Sequence, residues 1–379
     1  MVNPVIFKEY DIRGIVGEQF DDRFAYELGK SFVSYLKKFR NINNPTVSVG
    51  FDARLSSPSL ANSLVRGLKE SGASVFRLGL VTTPISYFST RTIPDISGAI
   101  MITGSHNPPE YNGFKISAGS SAIFGEEIQK VRKIYEEKDF LDGTGTVEDF
   151  DIMTPYVEKY AAEFKNLPQV PIVFDCGNGA AGSVLRRLLE KIGFESTILF
   201  EEPDGHFPNH HPDPTVEKYM KELSDTVKTM KSAAGIGFDG DADRIGVVDE
   251  NGRLVLGDEL MVMFSRGILE DLPGSLIIGD VKCSDRLYSD IEAHGGKPLM
   301  WMTGHSLIKE KIKVDKAPFG GEMSGHVCFA DRNFGYDDAI YAALRLIELL
   351  GRKKKPVSSL LEGLPTAFNT PEIRIDTTE

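Results

Sequence analysis

Cysteine is scarce: Cys176, Cys283 and Cys328 are the only three in 379 residues, and no two form a C-x-x-C pair. An odd count without close pairs excludes a disulfide framework and a cysteine-held zinc site, and fits a reducing cytoplasm. Positive charge is also in deficit, with 43 Lys and Arg against 55 Asp and Glu and a formal net charge of −12. An acidic surface repels nucleic acid and anionic lipid, so neither is an expected partner, and any anionic ligand must meet a local cluster of cations. No apolar run is long enough to span a bilayer, and Lys8, Glu9, Asp11 and Arg13 interrupt any signal peptide. The apolar and charged fractions, 41% and 26%, are those of a globular protein, and the length suits two to four domains.

What is present is a weak repeat. Its copies are VSVGFDARLSSPSLANSLVRGLKESGASVFRLG from Val47, PIVFDCGNGAAGSVLRRLLEKIGFESTILF from Pro171, and SLIIGDVKCSDRLYSDIEAHGGKPLMW from Ser275. Each opens with an apolar run that reads as a buried strand and ends on an aspartate: Asp52, Asp175 or Asp280. A polar loop and a helical pattern follow, closed by Gly72, Gly193 or Gly295 at the helix C-terminus, and then a second apolar run. Strand–helix–strand units of this kind call for mixed, largely parallel sheets covered by helices. The copies lie about 105–125 residues apart, a domain spacing, so three similar α/β domains are expected around a cleft. Breaks at DGTGTVEDFD (142–151) and DENGRL (249–254) give units 1–150, 151–253 and 254–366, and Pro365 and Pro371 mark a further hinge. Ligand-binding residues should sit beyond the carboxyl ends of the strands.

Four motifs carry chemistry. In TGSHNPPEYNGFK (103–115), Ser105 follows the apolar run SGAIMI. His106 and Asn107 adjoin it, Pro108 and Pro109 stiffen its loop, and Lys115 can meet a phosphate. In DGDADR (239–244), Asp239, Asp241 and Asp243 alternate along what reads as an extended loop between two strands, so that three carboxylates can share a hard cation such as Mg²⁺. The spacing resembles a calcium loop of the EF-hand type, but Arg244 stands where that loop needs glycine, and the flanks read as strands. In GEMSGH (321–326), Glu322, Ser324 and His326 face one side if the loop is extended, and such polar groups suit sugar hydroxyls. KEYDIRG (8–14) offers Tyr10 and Arg13; it reads equally well as an N-terminal strand with a surface arginine. Lys282 lies just past the third repeat's strand, and His305 at a helix start. His206, His210 and His211 belong to a proline-rich loop near the cleft rather than to a metal site.

These motifs, over essentially the whole chain, resemble those of the α-D-phosphohexomutase superfamily, in particular bacterial phosphomannomutases/phosphoglucomutases. The resemblance implies three similar α/β domains and a smaller fourth. It implies that Ser105 is the phosphoserine, that Asp239, Asp241 and Asp243 hold one Mg²⁺ together with it, and that Glu322 and Ser324 contact sugar hydroxyls. Tyr10, Lys282, His305 and His326 complete the expected substrate site. Met323, where glucosamine mutases usually have Gln, implies mannose and glucose phosphates. The implied reaction moves phosphate reversibly between positions 1 and 6 of a hexose through a bisphosphorylated sugar, with glucose 1,6-bisphosphate as activator. Arg244 and Lys115 then flank the transferred group, His106 adjoins it, and Arg13, Lys115, His305 and His326 are candidates for moving the hydroxyl proton. A monomer is expected. The sequence stops at AFNTPEIRIDTTE, which resembles the hinge and first strand of the family's fourth domain. The expectation is therefore that residues 367–379 begin a fourth domain that is mostly absent, leaving a weakly active form. Alternatives are a metal-dependent sugar phosphatase using Ser105 and a degenerate sugar-phosphate binding protein.

Overall fold

Strands Gly98–Ile102 and Ala234–Phe238 are buried at every residue. Runs such as GAIMI and AGIGF, apolar or small throughout, therefore form central strands covered on both faces. The computed structural model describes residues 4–366 and builds them on three mixed sheets. The first has the order Ile12–Ile15, Tyr111–Ala118, Gly98–Ile102, Thr46–Phe51, Ser74–Leu80 and Val147–Asp149, with Ser121–Ala122 paired on Tyr111–Ala118. The second runs Leu254–Val255, Ile245–Asp249, Ala234–Phe238, Ile172–Asp175, Thr197–Leu199, and the third Lys297–Trp301, Leu276–Asp280, Phe319–Gly321, Val327–Phe329. The expected hinge at 367–379 lies outside the described residues.

All three sheets share one plan. A strand ending on the repeat's aspartate (Asp175, Asp280) or just before it (Asp52) lies parallel to the first strand of an antiparallel hairpin. Those hairpins join Gly98–Ile102 to Tyr111–Ala118, Ala234–Phe238 to Ile245–Asp249, and Phe319–Gly321 to Val327–Phe329. Their turns hold Ser105, the three aspartates and Glu322, so the three motifs occupy equivalent positions in the three repeats. The loops directly after Asp52, Asp175 and Asp280 buttress these turns. The repeat helices Ser57–Glu70, Leu185–Ile192 and Asp285–Ala293 end as expected, with Gly72, Gly193 and Gly295 at φ +92°, +76° and +78°. Leu254–Val255 pairs antiparallel with Val247 and Val248, so DENGRL is a hairpin turn at the edge of the second sheet.

The sheets are not isolated bodies. One apolar cluster runs from Leu78 and Phe88 in the first unit through Tyr156 and Phe238 in the second to Phe319 and Ile347 in the third. Helix Ala339–Lys353 lies in this cluster, capped by Asp338, whose carboxylate accepts the amide of Tyr341 at 2.9 Å. No helix among the described residues is long and apolar enough to cross a membrane.

Candidate active site

The serine loop is held by a residue that sequence reasoning passed over. Arg54 is 1% exposed. Its guanidinium donates to the carbonyls of Ser105 (2.8 Å), Asn107 (2.6 Å), Pro108 (2.5 Å) and Tyr111 (2.9 Å), and to Asp52 Oδ2 (3.2 Å). Asp52 Oδ2 also accepts the amide of Gly104 at 3.1 Å. Within this frame Ser105 adopts φ +49°, a conformation costly for a residue with a Cβ and found where surrounding structure over-determines the backbone. Its hydroxyl donates to Asp239 Oδ2 at 2.8 Å and lies 3.3 Å from His106 Nδ1.

The DGDADR segment is a tight turn rather than the extended loop expected. Ala242 has φ +58° and its amide donates to the carbonyl of Asp239 at 3.1 Å. Asp239 Oδ1 accepts the amides of Asp243 and Arg244, both at 3.1 Å. Curling, not alternation, brings the carboxylates together: one oxygen of each of Asp239, Asp241 and Asp243 lies within 4.8 Å of the others, and all three residues are buried. Gly240 lets the turn sit on the serine loop, since a Cβ there would stand 2.5 Å from the Ser105 carbonyl. The flanking strands exclude an EF-hand, as the sequence indicated.

Burial and mutual repulsion set the charges. Burial, with Asp241 and Asp243 beside it, raises the Asp239 carboxyl well above the usual range. Burial also pushes Asp241 up, but the Lys115 ammonium at 2.8 Å and the Thr83 hydroxyl at 2.5 Å prevail and hold it below that range. Lys115, which also contacts Asp243, has its pKa raised in turn: its two carboxylates outweigh its burial. Asp241 Oδ1 and Asp243 Oδ1 are buried with no hydrogen-bond partner. Unsatisfied carboxylate oxygens converging in an oxygen-only donor set fit a hard divalent cation.

The third hairpin supplies the facing wall. Its turn is not extended either: the amide of Gly325 donates to the carbonyl of Glu322 at 3.1 Å, with Gly325 at φ +86°. Glu322, Ser324 and His326 therefore do not share a face by alternation. Glu322 is 3% exposed, burial raises its pKa, and its Oε1 accepts the amide of Gly304 at 2.5 Å. Ser324 stands in the turn itself. His326 Nε2 accepts from Arg244 Nε at 3.0 Å, and its Nδ1 lies 2.9 Å from Asp337. His305 stacks on His326 with ring centroids 5.0 Å apart. Burial and then Lys309 lower the His305 pKa to about 3, and burial with Arg244 and Arg13 lowers that of His106.

Arg13 is a strand residue, but not a surface one. It donates to Asn107 Oδ1 at 2.7 Å and pairs with Asp11, and its Nε is buried without a partner. Tyr10 donates to the carbonyl of Thr303 at 3.0 Å, bridging the first and third units. Lys282 is exposed just past strand Leu276–Asp280. The three loop histidines scatter: His206 meets Asp204, His210 meets Asp175 at 3.0 Å, and His211 Nε2 reaches the carbonyl of His106 at 2.5 Å.

Besides Arg54, sequence reasoning missed Thr83, Lys309 and Asp337. Thr83 opens helix Thr83–Thr92 behind a capping threonine, and its role depends on the second unit docking there. Asp337 gathers His305 (3.1 Å), His326 and Lys309 (2.8 Å), and no local pattern marks it.

Comparison with known proteins agrees with this geometry. Family models for phosphoglucomutase/phosphomannomutase alpha/beta/alpha domains I, II and III match residues 4–142, 154–252 and 256–368. A phosphomannomutase/phosphoglucomutase of Pseudomonas aeruginosa is 42% identical over 374 residues, covering 99% of this chain and 80% of that protein. A phosphoglucomutase of Neisseria gonorrhoeae is 42% identical over 376 residues, covering 99% and 81%. The crystal structure of a phosphoglucomutase/phosphomannomutase family protein from Burkholderia thailandensis superposes with a TM-score of 0.92 at 40% identity, covering 98% of this chain and 82% of that one. With three domain models, near-complete coverage by relatives and a shared fold, the chain belongs to the phosphoglucomutase/phosphomannomutase family of enzymes.

Proposed function

We propose that this enzyme interconverts the 1- and 6-phosphates of glucose and mannose through a phosphoryl group carried on Ser105. The observation that carries the reading is the Ser105 hydroxyl, donating at 2.8 Å into a buried cluster of three carboxylates. Asp239, Asp241 and Asp243 would hold Mg²⁺ there, and a bound dication supplies offsetting positive charge to the transferring phosphoryl group. The free hydroxyl of the sugar attacks phosphorus, a new P–O bond forms to the sugar, and the bond to Ser105 Oγ breaks. The bisphosphorylated sugar then turns over and returns its other phosphate to Ser105. Glucose 1,6-bisphosphate enters the same cycle and loads an unphosphorylated serine.

The residues divide by charge. Lys115, held charged by its carboxylates, acts electrostatically with Arg13 and Arg244. Burial keeps the imidazoles of His106 and His305 neutral, and His326 stacks on His305 beside them; His305, His326, Arg13 and Lys115 are the candidates for moving the hydroxyl proton. Glu322, Ser324, Tyr10 and Lys282 are assigned to binding the sugar phosphate.

Phosphopeptide mapping after treatment with glucose 1,6-bisphosphate is expected to place phosphate on Ser105, and Ser105→Ala to abolish isomerisation of glucose 1-phosphate. Phosphate on another residue, or activity in the alanine variant, would sink the mechanism; net release of inorganic phosphate would make the enzyme a phosphatase. Asp241→Asn is expected to weaken Mg²⁺ binding, read by calorimetric titration, together with turnover. Unchanged metal affinity would leave the turn a structural feature.

A further inference from the structure

A cavity of about 600 Å³ opens between the first and third units and shares no wall residue with Ser105, the three aspartates or the Glu322 turn. Helix Thr83–Thr92 and the hairpin around Ser121 wall it on one side, helix His305–Asp315 and the segment around Phe334 on the other. Its chemistry runs against that of the chain. In a protein of net charge −12, its walls carry four cationic side chains and a single carboxylate, Glu310. One cation, Lys309, is bound to Asp337 at 2.8 Å. For Arg91 and Lys313, the partners are neutral oxygens, the carbonyl of Ser120 and the hydroxyl of Ser121, both at 3.1 Å.

Two polar groups on these walls lack partners. Ser306 is 2% exposed, yet its hydroxyl makes no hydrogen bond, and neither does the buried amide nitrogen of Asn333. A buried polar group left unpaired destabilises the fold, so a native structure keeps few of them. Beside them lies a flat apolar face: Phe334 stacks on Tyr336 at 6.0 Å and 20°, and Tyr336 packs against Tyr87 at 5.6 Å.

We propose that this cavity is a second ligand site, binding a small phosphate monoester that carries a ring. The phosphate lies toward Arg91 and Lys313, the ring against Phe334 and Tyr336, and Ser306 and Asn333 meet the ring's polar groups. Sugar phosphates and mononucleotides share this chemistry. The site is independent of the mutase reading.

Calorimetric titration of the full chain with glucose 6-phosphate, adenosine 5′-monophosphate and inorganic phosphate tests it. At least one ester should show a bound equivalent that Arg91→Gln weakens about tenfold or more, the loss expected for one hydrogen bond to a charged group, and that Ser306→Ala weakens about fivefold, as for a neutral one. That ester should bind more tightly than inorganic phosphate, and whichever ester does so identifies the source. Ser306 bonds to nothing in the fold, so Ser306→Ala should keep the melting temperature of the parent. Lys311→Gln, which removes the same charge outside the cavity, should change nothing. The proposal is overturned if neither ester has an equivalent sensitive to both wall variants, if Lys311→Gln weakens it equally, or if inorganic phosphate binds as tightly as both esters.

Discussion

Arg54 shows how much of the site rests on a residue that touches no reacting atom. Five hydrogen bonds from one buried guanidinium tie the serine loop to Asp52, and four of the acceptors are backbone carbonyls. Only a planar fork with several donors can serve acceptors spread over seven residues, and lysine, a single point charge, cannot. Arg54→Met leaves the buried Asp52 carboxylate without its cation and the carbonyls of Ser105 and Asn107 without their donor. Removing one member of a buried charged network costs about 3–5 kcal/mol. Denaturant titration of Arg54→Met should show a loss of that size, with Arg54→Lys recovering only part of it. A loss under about 1 kcal/mol, the scale of an exposed pair, would mean the loop holds itself.

At the scale of elements, the repeat explains what could be read from the chain and what could not. Strand ends at Asp52, Asp175 and Asp280, and the glycines closing the three helices, are local signals that any strand–helix unit must display. Ser105 and the three aspartates were legible because their residue types have few other uses between buried strands. The conformations were not. Alternation predicts an extended DGDADR, and would align the GEMSGH side chains only if that loop were extended; both are turns, because alternation says nothing once the backbone takes a positive φ at Ala242 or Gly325. Thr83 escaped because its partner Asp241 lies in another unit, 158 residues away, and Asp337 because its partners His305, Lys309 and His326 stand on other elements of its own unit, outside any local pattern. Gly240 carries the contact between the first two hairpin turns. Gly240→Ala places a methyl 2.5 Å from the Ser105 carbonyl and must push the turns apart. Because misplacement by about 1 Å costs on the order of 10²-fold in rate, kcat should fall by that much, and the melting temperature should fall as well, since overpacking against buried backbone costs about 1–3 kcal/mol. A variant of normal kcat would show that the two turns adjust to each other.

For the molecule as a whole, the site exists only while the units stay docked, and their junction carries a buried charge. Asp338 caps helix Ala339–Lys353 and accepts the hydroxyls of Tyr156 (3.1 Å) and Tyr160 (3.2 Å) from helix Met153–Glu163. Burial there outweighs these donors and raises its pKa to about 6, against 3.8 for a free side chain. A carboxyl whose pKa is higher in the folded than in the unfolded chain binds its proton more tightly when folded. Its contribution is thus fully present below pH 3.8, is lost as pH rises through about 6, and stays lost above that. The full swing is on the order of 3 kcal/mol, a gap of two pKa units at about 1.4 kcal/mol each. Asp338→Asn keeps a good helix cap and removes the ionisation. The stability difference between Asp338→Asn and the parent should therefore shift in favour of the variant between pH 4 and pH 6.5 and then level off, as urea midpoints at each pH would report. A difference that stays flat across that range would mean that the tyrosine hydroxyls and the helix N-terminus compensate the charge in full, and that the junction tolerates an ionised Asp338 at no cost to docking.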